Sequence, residues 1–587
     1  MQRKGERSGA ATWVVALAAA TLVSRGFIHP APAKAVHATS SGAGEDVAAP
    51  RSIAASDAGR RSLRGGSSEE PRRGGTLTQS VTAEYKTLNN VTRGTVYEEA
   101  LCRLFLFPPL IDLDPDTLEL VPLLAAERPV ISADRLTYTW KLRPGVKWQR
   151  GLADGTPVEV TSADVEFSWK MLSDPSVPAL AARGALSAVK SVKALDRSSF
   201  VVEVKEPYFK TEYEFGTNFR LMPAHLCEHD PAKFAADPLG RAPVGYGPYR
   251  LVAWREKEYV ELERNPDWFA ADRMPYYPDR MRIRFVKDVS QLPDLFEHGE
   301  LTITNVNDVT RWESLKKDPK WSDLATFHEF FLTQCIYIAW NHDRFPFGDA
   351  RVRRAMTLLF PRQQVRDAKY LGHAIVLSGP WPGGAPELDP AIEPLPCDAA
   401  QAAKLLAEAG FADSDGDGVL DKDGKPFRFE LSVPETTTPA LDAGNLWFQE
   451  KLKRAGVTMS IKVVNSQQLF SSDLPKHEFD GAEVGWGGDP SEDDLFERFH
   501  SHSIEHGRNY FGYRSADCDR LIESWRREFD RDKRIAIAHE LHRRIAEDQP
   551  ATFLFNPQSL VLATTKLRNV KVHRLGARWF DWWFSAP

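Results

Sequence analysis

Cysteine is scarce: five in 587 residues, at positions 102, 227, 335, 397 and 518, far apart and with no C-x-x-C pair. That spacing argues against structural zinc, which gathers its thiolates in close pairs. An oxidising compartment permits at most two disulfides here, with one thiol left over and the pairing open. Catalytic signatures are missing too. There is no G-x-S-x-G elbow, no H-E-x-x-H and no G-x-x-x-x-G-K-[ST] loop, so the common hydrolase, zincin and nucleotide-cradling sites are absent. A basic surplus is also lacking. Residues 1–73 carry 11 Lys/Arg against 6 Asp/Glu, which leaves 64 against 75 in the rest of the chain. An acidic body does not suit a phosphate backbone, so nucleic acid is not expected as a partner. The N-terminal apolar run, residues 10–23, is shorter than the roughly 20 residues that span a bilayer.

What is present begins with an export pattern. Arg3, Lys4 and Arg7 precede that apolar run, and Ala33-Lys34-Ala35 fits a small-x-small cleavage site. Residues 1–35 therefore read as a signal peptide, leading to the periplasm. No Cys precedes Cys102, so a lipid anchor is not expected. Residues 36–73 are rich in Ala, Ser, Gly, Arg and Glu, the composition of a flexible linker. The body that follows is long enough for two or three domains, and 16 Trp with 32 Phe supply ample apolar surface.

Periodicity alternates between strand and helix. "RRGGTLTQSV" opens a strand; "LTYTWKLRPGVKW" reads as strand, Pro-Gly turn and second strand; "TSADVEFSWKML" is a helix capped by Thr161 or Ser162. "GPYRLVAWREKEYVELERNP" reads as a hairpin, and "RMRIRFV" and "CIYIAWN" as strands. Helices are expected at 349–360, capped by Asp349, at 397–410, near Asp398 and ending at Gly410, and at 440–456, ending at Gly456 before "VTMSIKVV". Residues 518–548 supply two more. Helix, glycine, then apolar strand is the pattern of a layered α/β domain.

Four local clusters carry candidate chemistry. "DSDGDGVLDKDG" sets Asp413, Asp415, Asp417 and Asp421 at positions 1, 3, 5 and 9 of a calcium loop, but position 12 is Gly424 instead of a bidentate Glu. A helix enters the loop and a strand leaves it, so it reads as a turn that could hold at most a structural calcium; no other cofactor is expected. His500, His502 and His506 lie close enough to invite a transition metal, yet without a firmly spaced carboxylate or Cys they read as an exposed polar loop. "HELH" sets His539 and His542 three apart, on what reads as a solvated helix face. "VGWGGDPSEDD" is the most informative. Trp486 offers a flat wall, Gly487 and Gly488 allow close approach, and Asp489 offers a fixed negative charge for a cationic group such as an α-amino terminus. A tight turn with Trp486 in the core would explain the same residues.

Taken together, "LVPLLAAERPVISADRLTYTWKLRPGVKWQRG", "DGTPVEVTSADVEFSWKML", "PVGYGPYRLVAWREKEYVELERNPDWF", "FGDARVRRAMTLLF", "DAAQAAKLLAEAGF" and "NYFGYRSADCDRLI" resemble the family 5 extracellular solute-binding proteins, the periplasmic oligopeptide and dipeptide receptors of ABC importers. The resemblance covers almost all of residues 74–587. It implies a two-lobed α/β fold of the type II periplasmic-binding-protein kind, with an extra subdomain on the first lobe. Mapped onto this chain, the first lobe takes 74–111, 239–328 and 556–587, the extra subdomain 112–238, and the second lobe 329–555. Two crossings between lobes would form the hinge. The resemblance also implies a monomeric receptor without enzymatic activity, which holds an oligopeptide between its lobes and presents it to membrane permease subunits. In peptide-binding members the Asp of a Trp-x-x-Asp motif meets the ligand's amino terminus, a role that falls on Asp489 after Trp486.

One departure stands out. Dipeptide-specific members place an Arg after the V-R-x-A helix, whereas this chain has no Lys or Arg between positions 369 and 404. It has "GPWPGGAPELDP" there, with Trp381 as a possible wall. That favours longer peptides, or a non-peptide ligand such as a sugar. The competing readings are an exported metal-dependent enzyme built on the three histidines, and a same-fold receptor that serves no importer.

Overall fold

The computed structural model describes residues 26–27, 69–435, 438–487, 492–573 and 576–586. The expected signal peptide and linker lie almost wholly outside these residues. Among the described residues no helix is long and apolar enough to cross a membrane.

Three sheets organise the chain. The first sets Thr76–Val81 parallel to Arg280–Phe285, followed by the antiparallel hairpin Tyr259–Arg264 and Tyr249–Arg255. The second is antiparallel, in the order Val130–Ile131, Thr137–Lys141, Ser199–Val204, Val189–Ala194. Helix Ser162–Ser173 packs against it, and Thr161 with Asp164 forms the capping box at its start. The expected second strand after Pro144 is reduced to an isolated bridge, Lys147 with Glu159. Gly145 turns the chain at a φ of +76°, so Trp148 leaves the sheet and donates its indole N–H to the buried Asp164.

The third sheet is large and mixed. Its main path runs Ala325–Leu332, Ala551–Thr564, Gln334–Trp340, Gly481–Gly487, Arg428–Pro434, Thr458–Val464. The 14-residue strand Ala551–Thr564 is almost continuously buried, as a strand covered on both faces must be. Its first half pairs with Gln334–Trp340 and its second half with Ala325–Leu332. These two adjacent antiparallel runs link two separate cores. One core holds Leu77, Trp140, Phe200, Tyr249 and Trp582; the other holds Tyr337, Trp381, Phe499, Trp525 and Leu541. A third core under the large sheet, around Trp312, Trp340 and Phe448, joins residues on both sides of the crossing.

The helices form where their caps and apolar stripes direct. Asp349 accepts from Arg351 N to start Ala350–Leu359, and Asp398 accepts from Gln401 N to start Ala399–Glu408. Gly410 and Gly456, at φ +90° and +76°, turn the chain out of two helices. All five cysteines are free, and four of them are buried.

Helix Arg531–Asp548 differs from its sequence reading in one respect. His542 is fully buried instead of facing solvent; its Nδ1 accepts from Asp389 N at 3.0 Å and its ring meets Trp381. Gly379 leaves room for it, since a Cβ there would stand 2.5 Å from the ring. Burial pulls the His542 pKa down to about 4, so the fold holds the neutral ring. The stability tied to it is complete above the ordinary pKa of 6.5 and is lost as pH falls from there toward 4. Acid unfolding over that interval is expected to cost on the order of 3 kcal/mol through this group. His542→Gln should flatten the slope of urea-unfolding free energy against pH in that window; an unchanged slope would refute the assignment.

Candidate functional site

Strand Gly481–Gly487 carries Trp486 to the edge of a cavity of about 290 Å³. One wall comes from that strand and the turns after it, with Trp486, Gly487, Asp493, Glu497, Arg498 and Arg508. The opposite wall is formed by residues 184–189 and 208–215, from the body that holds the second sheet. Arg526, near the end of helix Ala516–Arg527, reaches the cavity from the Trp486 side.

The two walls touch. Phe209 N donates to Arg526 O at 3.1 Å. The Arg526 guanidinium lies over the Tyr208 ring at 4.2 Å, and Arg534 lies over Phe209 at 4.3 Å. Farther out, Arg135 sits 3.6 Å above Phe529. Each contact joins a cation to an aromatic face, an attraction that strengthens as water is excluded. They clasp the walls over the cavity. Burial lifts the Tyr208 phenol well above its ordinary pKa, and Asp494 beside it adds to the effect.

Charge inside the cavity is organised in pairs. Arg498, nearly fully buried, bonds to Asp493 and stacks 4.4 Å from Trp486. Arg526 pairs with Asp494 at 2.8 Å, and Lys210 stands 3.5 Å from Glu214. Charges removed from water need such partners. Two guanidiniums lie over the Trp486 ring, the second being Arg508 at 5.0 Å.

The structure distributes the sequence candidates unevenly. Trp486 and Gly487 line the cavity; Gly488 and Asp489 lie outside the described residues. Trp381 is 1% exposed, packed edge-on against Trp525 and His542. It therefore has no free face for a ligand. Its indole N–H donates to Asp493 O at 3.0 Å, which fixes the cavity wall from behind. The basic residues Lys210, Arg498, Arg508 and Arg526 escaped the sequence reading, because nothing in sequence marks which few of 75 Lys and Arg become buried.

Among the described residues, His500 and His502 belong to no group of three metal-ligating side chains. His500 is buried instead of lying in an exposed loop; it stacks on Phe496 at 4.4 Å, and its Nδ1 accepts from His502 N. Among the described residues only two groups bring three ligating atoms within 4.8 Å. One is Glu313, Glu329 and His373, where Lys316 already donates to Glu329 at 2.8 Å and stands 3.7 Å from Glu313. The other is Asp413, Asp415 and Asp417, all exposed. Their oxygens accept from backbone N–H groups of the same turn: Asp413 from Gly416 and Gly418, Asp415 from Asp417, and Asp417 from Val419. Asp421 turns away to accept from Ser414 N and Oγ. With Gly424 at the bidentate position, calcium at millimolar concentration is expected to shift Tm by less than about 1 °C, a weak-site outcome that a thermal melt with and without chelator checks.

A family model for bacterial extracellular solute-binding proteins, family 5 (Middle), matches residues 119–504. The oligopeptide-binding protein AppA of Bacillus subtilis (strain 168) is 28% identical over 451 residues, covering 75% of this chain and 78% of that protein. A probable di/tripeptide-binding protein 5 of Pseudomonas aeruginosa (strain UCBPP-PA14) is 24% identical over 486 residues, covering 80% and 88%. Among solved structures, AppA from Bacillus subtilis in complex with a nonapeptide superposes with a TM-score of 0.73 at 24% identity, covering 88% of this chain and all of the other. The likeness to solved structures establishes the two-lobed α/β fold.

Proposed function

Because the chain belongs to the bacterial extracellular solute-binding proteins of family 5, which are binding receptors and not enzymes, we propose that it captures a peptide in the cleft beside Trp486 and delivers it to the permease of an ABC importer. The observation that carries this reading is the clasped cavity of about 290 Å³, whose walls come from different parts of the chain. A site of that design opens and closes by moving one wall against the other. The oligopeptide and di/tripeptide relatives support a peptide as the ligand. Trp486 with Gly487 supports a binding mode in which ligand backbone lies close to the strand end.

The export pattern of residues 1–35 fits the same reading, in which the receptor works in the periplasm as a monomer after cleavage near Ala35. Purification of the mature protein from periplasm without unfolding, followed by mass spectrometry of what elutes on denaturation, tests the ligand. Peptides are the expected result. A sugar, or a metal chelate, in stoichiometric amount would overturn the peptide assignment.

A further inference from the structure

A second cavity, of about 250 Å³, shares no lining residue with the one beside Trp486. It lies between helix Ala350–Leu359, the start of helix Arg362–Ala368, residues 378–395 and the C-terminal end of helix Arg531–Asp548. Three cations border it, Arg354, Arg362 and Arg543, together with two carboxylates, Glu393 and Glu547. Arg543 is paired with Glu540 and Asp389, and Glu547 with Arg544. Glu393 is exposed. Arg362 stands apart: it is 2% exposed, and among the described residues it has no carboxylate within ion-pair distance. Its Nη1 donates to Leu377 O at 3.0 Å and to Phe553 O at 2.7 Å, and its Nη2 to Leu395 O at 2.6 Å. These carbonyls hold the guanidinium in place without cancelling its charge, and its Nε–H has no acceptor. Burial pulls its pKa down to about 10, so it is still a cation at neutral pH. A cation taken out of water calls for an anion.

Two more groups on the wall narrow the kind of anion. Arg354 is half-buried, has no ion pair among the described residues, and reaches Ala546 O at 3.4 Å. Gln549, 4% exposed, donates from Nε2 to the same carbonyl at 2.8 Å, which leaves its Oε1 buried with no donor. The wall thus offers guanidinium N–H groups to an anion and one acceptor to a hydroxyl. Inorganic phosphate fits both, because near neutral pH it carries negative oxygens and at least one O–H. Sulfate has no O–H, and a phosphate monoester has lost most of its own by about pH 7.

We propose that this cavity binds inorganic phosphate, held by Arg354 and Arg362 and hydrogen-bonded to Gln549. The site is independent of what the cleft beside Trp486 holds.

The test is equilibrium dialysis of the mature protein, freed of oxyanion buffers, against radiolabelled inorganic phosphate at neutral pH and constant chloride. One phosphate per chain is expected, with half-saturation below about 1 mM. Unlabelled sulfate and glycerol phosphate should each compete at least about fivefold less well than unlabelled phosphate, within the range that one hydrogen bond supplies. Arg354→Gln should weaken retention at least about tenfold, the effect of losing one charge-assisted contact, and Arg354→Lys should restore part of it. No retained phosphate on the wild type overturns the site, and unchanged retention by Arg354→Gln overturns its location. Competition by sulfate or glycerol phosphate equal to that of phosphate itself overturns the choice of inorganic phosphate. If Arg354→Gln does not fold, the wild-type competition series alone decides.

Discussion

Gly245→Ala is expected to destabilise the protein by about 3 kcal/mol or more, at the upper end of what overpacking costs. A Cβ at Gly245 would stand 2.0 Å from the carbonyl oxygen of Leu106, and one at Gly247 would stand 2.3 Å from that of Phe105. Both obstacles are backbone atoms, which cannot rotate away as a side chain does. The contact is close because it is bonded: Tyr246 N and Gly247 N both donate to Leu106 O, at 3.1 and 3.0 Å. Further bonds converge from Gln149, whose side chain donates to Gly247 O and Tyr249 O, and from Asn265, which donates to Gly247 O. Pushing the segment outward to fit a methyl would break several of these at once, and most of the groups left without partners are buried. Gly94→Ala is the control, since a Cβ there meets nothing within 4 Å. Urea unfolding should show a large drop in midpoint for Gly245→Ala and almost none for Gly94→Ala. Equal midpoints would remove the close-approach argument.

That glycine pair also marks what could be read from sequence. "PVGYGPY" stood out as one of the family-like stretches, but which backbone the glycines approach depends on residues 105–106, some 140 positions earlier. Local order was legible wherever a short-range rule decides it. Asp349, Asp398, Gly410 and Gly456 fall at helix ends because capping and positive φ are local. The strand after Pro144 was not legible, because the pull on Trp148 comes from Asp164, a tertiary partner. The site divides in the same way. Trp486 and Gly487 were legible from their local chemistry. Trp381 was misjudged because an apolar ring in a Pro/Gly-rich stretch looks the same in sequence whether it faces a cleft or, as here, supports one from behind. His500 and His542 read as surface residues in sequence, because polar neighbours conceal a buried imidazole whose Nδ1 accepts a backbone N–H.

Asp489→Ala is expected to weaken peptide binding sharply, and the nearest carboxylates of the cavity wall are already committed to arginines. Strand Gly481–Gly487 brings the chain to the ligand, with Trp486 and Gly487 on the cavity wall. The carboxylates that follow, Asp493 and Asp494, are committed to Arg498 and Arg526. Drawing either toward a ligand ammonium would strand a buried guanidinium, which costs more than the new contact returns. Asp489, two residues beyond Gly487, is the acidic residue that the Trp-x-x-Asp resemblance points to. Truncating one partner of a desolvated charge pair costs about 2–5 kcal/mol, which is roughly 30-fold to several-thousand-fold in affinity. Asp489→Asn should lose nearly as much as Asp489→Ala if charge is what matters, since its shape is retained. Acetylating the peptide's amino terminus should weaken binding to the wild type by a similar factor and leave the weak binding to Asp489→Ala unchanged. Calorimetric titration of the four combinations gives the coupling between the two groups directly, and a coupling near zero would sink the assignment.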